Sequence, residues 1–327
     1  MIPPAAAPAF LAQAGWGHAA IVPLAGDASF RRYFRVLDGG RRAVLMDASP
    51  PHEDPRPFIA IAEHLVEQGF AAPRILARDL DEGLVLIEDF GDLRVKEHLD
   101  DAPADEQAVY TRAVELLADL HRQPAADLPP YDRAVYQREA GLLTEWYCPA
   151  IGLDVDVEAY ARAWDAVLPL VENSVSPVTV LRDYHAENIM LIDRPQARGL
   201  GLLDFQDALA GHPAYDLVSL LQDARRDVSP AVEAAMLAHY RAIANPPGDF
   251  ESAYAVLGAQ RNAKIIGIFT RLWKRDGKPR YLSFLPRMWD LLERDLAHPA
   301  VAPVGEWFAA NIPAHQRHSA LQDHASA

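Results

Sequence analysis

The sequence predicts an α+β protein: a small antiparallel sheet lobe with one helix, then a large, mainly helical lobe. Two observations carry this. Alternating apolar residues and glycine-bearing turns fill roughly the first ninety residues, whereas apolar residues spaced at i, i+3, i+4 and i+7 dominate after Asp105. Helices follow the strands rather than alternating with them, which separates this arrangement from a doubly wound one. The expected lobes are residues 1–88 and 89–327.

Taken in order, Phe10 to Gly15 reads as a short helix ending at a glycine. Ile21-Val22-Pro23-Leu24 opens a strand, and Ala25 to Ser29 is a turn. Phe30 to Leu37 is the next strand, with Phe30, Arg32 and Phe34 on one face and Arg31, Tyr33 and Arg35 on the other. Asp38-Gly39-Gly40 turns the chain into a third strand, Arg42 to Asp47. Pro57 to Gln68 is an amphipathic helix with Ile59, Ala62, Leu65 and Val66 on its apolar face and Gly69 as its stop. Pro73 to Leu76 leads into a fourth strand, and Gly83 to Ile87 is a fully apolar fifth that runs into Glu88-Asp89-Phe90-Gly91.

Beyond Asp105, Ala113, Leu116, Leu117 and Leu120 line one helix, closed by His121, expected as a partner for helix-end carbonyls. Further helices are expected over Arg138–Tyr147, Val157–Val171, Ala214–Leu221 (with Asp216 as a cap near its start), Ala231–Ala244, Phe250–Trp273 and Tyr281–Ala297. Arg261, Lys264, Arg271 and Lys274 punctuate the longest of these, and such a basic row ordinarily marks a solvated face. The tail from Ala314 to Ala327 is expected to fray.

Half of the 327 residues are hydrophobic, enough for substantial cores. A net charge of −15 disfavours nucleic acid or an anionic membrane as the main partner. The single cysteine, Cys148, excludes an intrachain disulfide and reads as a small buried hydrophobe. No apolar run reaches membrane-spanning length, and the N-terminus lacks the basic region of a secretory signal. A cytoplasmic protein, expected as a monomer, follows.

The chemistry concentrates in one stretch. Val180-Leu181-Arg182-Asp183-Tyr184-His185-Ala186-Glu187-Asn188 is followed by Leu202-Leu203-Asp204-Phe205-Gln206-Asp207. Asn188 lies five residues after Asp183, and Asp204 sixteen after Asn188. Singly, each is ordinary turn chemistry at a strand end. Jointly, the spacing matches the phosphoryl-transfer template of kinases: a base Asp, an Asn for Mg²⁺, then the Asp of a D-F-G-like triplet for the metal. In that template the turn at Gly26, Ala28 and Ser29 would lay backbone N–H groups and a hydroxyl over the phosphates of ATP. The backbone of Glu88 and Phe90 would meet the adenine edge.

These residues carry a resemblance. From about Ile21 to about Leu296 the chain resembles the aminoglycoside phosphotransferase and choline-kinase-like branch of the protein-kinase-like two-lobe fold. The markers are Leu24 to Ser29, Ile87-Glu88, Leu117 to His121, Asp183 to Asn188, Asp204-Phe205 and Tyr215-Asp216-Leu217. A nearer resemblance is to bacterial kinases that phosphorylate the C1 hydroxyl of N-acetylmuramate and N-acetylglucosamine in peptidoglycan recycling. It is carried by Gly26 to Tyr33, Val44 to Ala48, Glu145-Trp146-Tyr147, Asp204 to Ala208, Lys264 to Leu272, Arg275 to Pro279 and Leu285-Pro286-Arg287.

The resemblance implies ATP and Mg²⁺ as cofactors, Asp183 as the base, and Asn188 and Asp204 as metal ligands. It also implies an amino-sugar acceptor drawn to some of Glu145, Trp146, His185, Gln206, Asp207 and Arg271. Two positions depart from the pattern. Leu181 stands where the superfamily usually has His, and the third strand, Val44-Leu45-Met46-Asp47, has no Lys for the α- and β-phosphates. Arg31 or Arg32 is the expected substitute, with Arg32 placed among the nucleotide-binding residues. The missing Lys leaves open a nucleotide-binding pseudokinase, and the acidic charge leaves open a cationic acceptor such as an aminoglycoside or amino alcohol.

Overall fold

The computed structural model describes residues 1–24, 31–172 and 175–324. The expected lid turn, with Gly26, Ala28 and Ser29, lies outside the described residues, as does Phe30. In chain order the strands are β1 (Ala20–Pro23), β2 (Arg32–Asp38), β3 (Arg41–Asp47), β4 (Ile75–Asp79), β5 (Leu84–Glu88), β6 (Val178–Val180), β7 (Ile189–Leu191), β8 (Leu200–Leu202) and β9 (Leu209–Gly211). The first helices are α1 (Ala7–Gln13), α2 (Arg56–Glu67), α3 (Val95–Asp101) and α4 (Glu106–Arg122). They are followed by α5 (Arg133–Ala140), α6 (Cys148–Ala150), α7 (Val157–Val167), α8 (Pro169–Glu172) and α9 (Ala214–Leu221). The chain closes with α10 (Pro230–Ala244), α11 (Phe250–Lys274), α12 (Leu285–Leu296) and α13 (Ala302–Asn311).

Packing divides the chain into two compact units, Met1–Ala113 with Ala186–Ala208, and Val114–His185 with Leu209–Ala327. The boundary differs from the one expected at Glu88: the first unit runs on to Ala113 and takes in the β7–β8 hairpin, which packs against the segment after α2. Leu202 donates its N–H to the Ala71 carbonyl at 2.8 Å. Phe205 stacks on Phe58 of α2 with ring centres 5.1 Å apart.

The first unit holds the antiparallel sheet β1-β2-β3-β5-β4. Alternation sends Phe34, Val36, Ala43, Leu45, Leu84 and Leu86 into one core with Phe10 and Leu11 of α1. The β7–β8 hairpin pairs Ile189 with Leu202. The residues flanking that pair, Asn188 and Leu203, are joined by the Leu203 N–H to the Asn188 carbonyl at 3.0 Å. Asn188 and Asp204 therefore leave the same end of the hairpin. Gly201 in β8 has no room for a side chain, since a Cβ there would meet the Phe90 ring at 2.8 Å.

In the second unit β6 pairs β9, and α11 forms the axis. Most of α11 from Phe250 to Gly267 is buried, because α5, α9, α12 and a π-helical turn at Leu143–Tyr147 surround it. Arg261 and Lys264 are buried with it, contrary to the solvated basic face that composition suggests. Asp216 does not cap α9 as expected: its carboxylate turns back to the loop after β6. His121 bonds the Tyr240 hydroxyl at 2.8 Å rather than helix-end carbonyls.

The expected helix at Val157–Val171 breaks into α7 and α8, the second starting at Pro169, which has no N–H to continue a helix. The tail is held rather than frayed as far as it is described. The Tyr147 hydroxyl lies 2.6 Å from the Gln316 carbonyl and 2.8 Å from that of Arg317, whose guanidinium reaches Glu293 at 2.9 Å. Among the described residues no helix is long and apolar enough to cross a membrane.

Candidate active site

The loop after β6 is built by hydrogen bonds to a buried acid. Asp216 accepts the N–H of Leu181 at 2.7 Å and of Arg182 at 2.8 Å. The second bond helps hold Arg182 at φ +70°, a left-handed conformation that a non-glycine residue keeps only when its surroundings fix it. Leu181 is buried in the core, and the loop is held here through its backbone N–H groups.

Asp183 follows directly. Burial alone would push its carboxyl up, but Lys264, His185, Arg261 and Arg182 together outweigh it and hold the group below its ordinary value. Asp183 is thus an ionised carboxylate at neutral pH, the form that can accept a proton. His185 is buried, accepts a hydrogen bond from Arg225 at 3.3 Å, and is pushed down to about 4, chiefly by burial.

In the first unit, Asn188 and Asp204 lie within one hydrogen bond, Asn188 Nδ2 donating to Asp204 Oδ2 at 3.3 Å. Gln206 Nε2 donates to the other Asp204 oxygen at 2.8 Å. The Asp204 side chain is exposed, and its φ of +59° marks a sharp reversal that the buried, stacked Phe205 fixes. An amide and a carboxylate side by side form a hard oxygen donor pair. This fits Mg²⁺, which takes one or two protein ligands and completes its shell with phosphate oxygens and water.

The structure separates the two arginines considered for the missing lysine. Arg32 is committed to Asp47, its cross-strand neighbour, with Nε 2.8 Å from Oδ2, and Nη1 also reaches the Ile2 carbonyl at 3.1 Å. Arg31 is mostly buried and pairs with Glu53 at 3.2 Å, ahead of α2. Burial works against the charge on Arg31, but Tyr33, Glu53 and Asp204 all favour it, so its pKa stands above the ordinary value. Arg31 is therefore the arginine within electrostatic reach of Asp204.

At the end of β5 the Glu88 N–H is taken by the Arg74 carbonyl at 2.9 Å, and its side chain pairs with Arg194. The same guanidinium lies over the Phe90 ring, 5.5 Å from its centre.

The residues expected at the acceptor divide between the units. Gln206 and the exposed Asp207 lie in the first, beside Asp204 in sequence; among the described residues Gln206 Oε1 has no hydrogen-bond partner. His185, Glu145, Trp146 and Arg271 lie in the second. Glu145 is exposed on the π-helical turn and within electrostatic reach of Arg271. Trp146 Nε1 and Arg271 Nε are buried with no hydrogen-bond partner among the described residues. Sequence reasoning missed Glu139, Glu53 and Arg194. It also left Lys264 on a solvated face, although a lone charge inside the apolar run Ala263 to Phe269 was a visible sign of burial.

A small antiparallel sheet, a mainly helical remainder and this D-x-x-x-x-N with D-F set define the protein-kinase-like fold. The chain belongs to the phosphotransferase enzyme family, whose sequence profile matches residues 20–254. It is 40% identical over 313 residues to an N-acetylmuramate/N-acetylglucosamine kinase of Pseudomonas aeruginosa, covering 90% of each chain. It is 37% identical to the protein of the same name from Caulobacter vibrioides, covering 96% of this chain and 98% of that one. Among solved structures it is similar to the gentamicin complex of APH(2'')-IIa, with a TM-score of 0.61 at 14% identity, covering 93% and 100% of the two chains. Choline kinase LicA from Streptococcus pneumoniae aligns with a TM-score of 0.54 at 13% identity, covering 94% of each. These structural likenesses speak for the fold.

Proposed function

We propose that the protein is an ATP-dependent kinase that transfers the γ-phosphate to the anomeric C1 hydroxyl of N-acetylmuramate, N-acetylglucosamine or both. Its place would be cytoplasmic peptidoglycan recycling towards UDP-amino sugars. The observation that carries the reading is the likeness to kinases of that name along about nine-tenths of the chain.

In the proposed reaction Asp183 takes the proton of the sugar hydroxyl and aims its oxygen at the γ-phosphorus; the bond to the β-phosphate oxygen breaks and ADP leaves. An anomeric hydroxyl is more acidic than an ordinary alcohol, so a carboxylate suffices as base. Positioning and charge neutralisation do the rest. Asn188 and Asp204 would hold Mg²⁺, which when bound neutralises phosphate charge. Arg31, rather than Arg32, would supply the cation that the third strand lacks. Gly26, Ala28 and Ser29 would cover the phosphates, and Glu88 and Phe90 would meet the adenine. Glu145, Trp146, His185, Gln206, Asp207 and Arg271 are the side chains proposed for the acceptor, with Arg271 suited to the lactyl carboxylate of N-acetylmuramate.

An ADP-release assay with Mg-ATP and separate acceptors tests this, with the product position read by ³¹P NMR. A sugar 1-phosphate from either amino sugar is the expected result. Phosphate on choline or an aminoglycoside instead overturns the acceptor, and ATP binding without turnover on any of them favours the pseudokinase.

A further inference from the structure

The second unit buries a polar cluster that the reaction described above leaves unused. Glu139 of α5 is its hub. The Arg182 guanidinium and the Tyr131 hydroxyl both donate to it. Lys264 Nζ lies 3.0 Å from its Oε1, and Gln260 Nε2 3.5 Å from its Oε2. Lys264 also donates to the Tyr215 hydroxyl at 3.2 Å. Charges buried in this way often stabilise a fold no better than apolar residues of similar volume, so stability alone accounts poorly for the cluster. Two of its members act on Asp183 instead: Arg182 precedes it in a left-handed conformation, and Lys264 is the foremost cation acting on its carboxylate.

We propose that Glu139 and Lys264 are positioning residues for Asp183. Glu139 anchors the Arg182 side chain, and with it the backbone that presents Asp183, and it holds Lys264 in place as the counter-charge of that carboxylate. This inference rests on the reading of Asp183 as the proton acceptor.

The charges acting on Asp183 include those of Arg182 and His185 from its own loop, Arg261 and Lys264 from α11, and Asp216 from α9. With the Lys264 charge gone, burial acts against a weaker opposition and the carboxyl of Asp183 rises. The acidic limb of the kcat/KM profile then moves to higher pH. A purely structural cluster would lower stability and leave that limb where it is.

The test uses the full chain with Mg-ATP and N-acetylglucosamine. Lys264→Met is expected to lower kcat by about tenfold to a hundredfold, leave the KM for ATP within about twofold, and move the acidic limb upward. Lys264→Arg is expected to restore the limb. Glu139→Gln should lower kcat similarly, and the double variant should fall no further than the worse single one, as for groups acting as a unit. An acidic limb unmoved in Lys264→Met, or fully additive losses, overturns the proposal. If Lys264→Met fails to fold, a wild-type kcat in Glu139→Gln overturns it. Asp183→Asn separates the two readings: near-wild-type kcat there removes the base assignment itself, whereas an inactive Asp183→Asn beside an unmoved limb removes only the positioning role.

Discussion

Arg31 and Arg32 are neighbours in sequence with opposite partners. Arg32 faces Asp47, which is buried and needs it; Arg31 faces Glu53 and the field of Asp204. The Arg31–Glu53 pair, just before β2 and ahead of α2, is the one proposed to stand in for the lysine that the third strand lacks. Arg31→Ala is expected to raise the KM for ATP by about tenfold to a hundredfold, the worth of a lost charge-assisted contact. Arg32→Ala is expected to leave that KM near wild type but to destabilise the fold by about 2 kcal/mol, because it strands a buried carboxylate. Steady-state kinetics beside denaturant titration of both variants checks the pair, and a reversed pattern would show the assignment to be wrong. The sequence could not separate the two, since alternation in a strand says which face a side chain takes but not which acid waits there.

The elements were legible where a single period ran uninterrupted. The strands of the sheet, α2, α4 and α11 lie within a few residues of where alternation and helical spacing put them. Misreadings came where tertiary contacts overrode local pattern. Asp216 has the position of a helix-start residue, yet two backbone N–H groups thirty-odd residues upstream claim it. Arg138–Tyr147 reads as one helix, but α5 ends at Ala140 and a π-helical turn follows. α11 presses on that region where Gly267 meets the Leu142 backbone, a Cβ there falling 2.3 Å from the Leu142 carbonyl carbon. Gly267→Ala should therefore cost about 1–3 kcal/mol, since a backbone cannot yield as a side-chain tip can. A Tm unchanged in Gly267→Ala would show that the two segments can part without loss.

For the whole molecule, the spacing of Asp183, Asn188 and Asp204 was readable in the sequence, whereas the charges from α11 that act on Asp183 come from far along the chain and were not. Titration follows the same logic. His121 is pushed down to about 3, first by burial and then by His212, and His212 is pushed down to about 4 by burial. Both depart downward from an unfolded value near 6.5, so the unfolded chain binds more protons as the pH falls below that point. Their contribution is present above pH 6.5 and is lost progressively towards pH 4, by about 2 kcal/mol each at pH 5. Thermal unfolding followed from pH 7.5 to 5 should show Tm dropping below 6.5. In a His121→Phe/His212→Phe variant the drop should be shallower, and an equally steep one would clear these two histidines of responsibility.

Cys148 is fully buried, and burial pushes its thiol up to about 12. The thiolate that reacts with disulfide reagents is therefore scarce, and what exists is shielded. Because it is the only sulfhydryl in the chain, a single labelling trace is free of other signals. The rate at which a thiol reagent marks the native protein then becomes a clock for openings of the second unit, kept by one atom with no probe introduced.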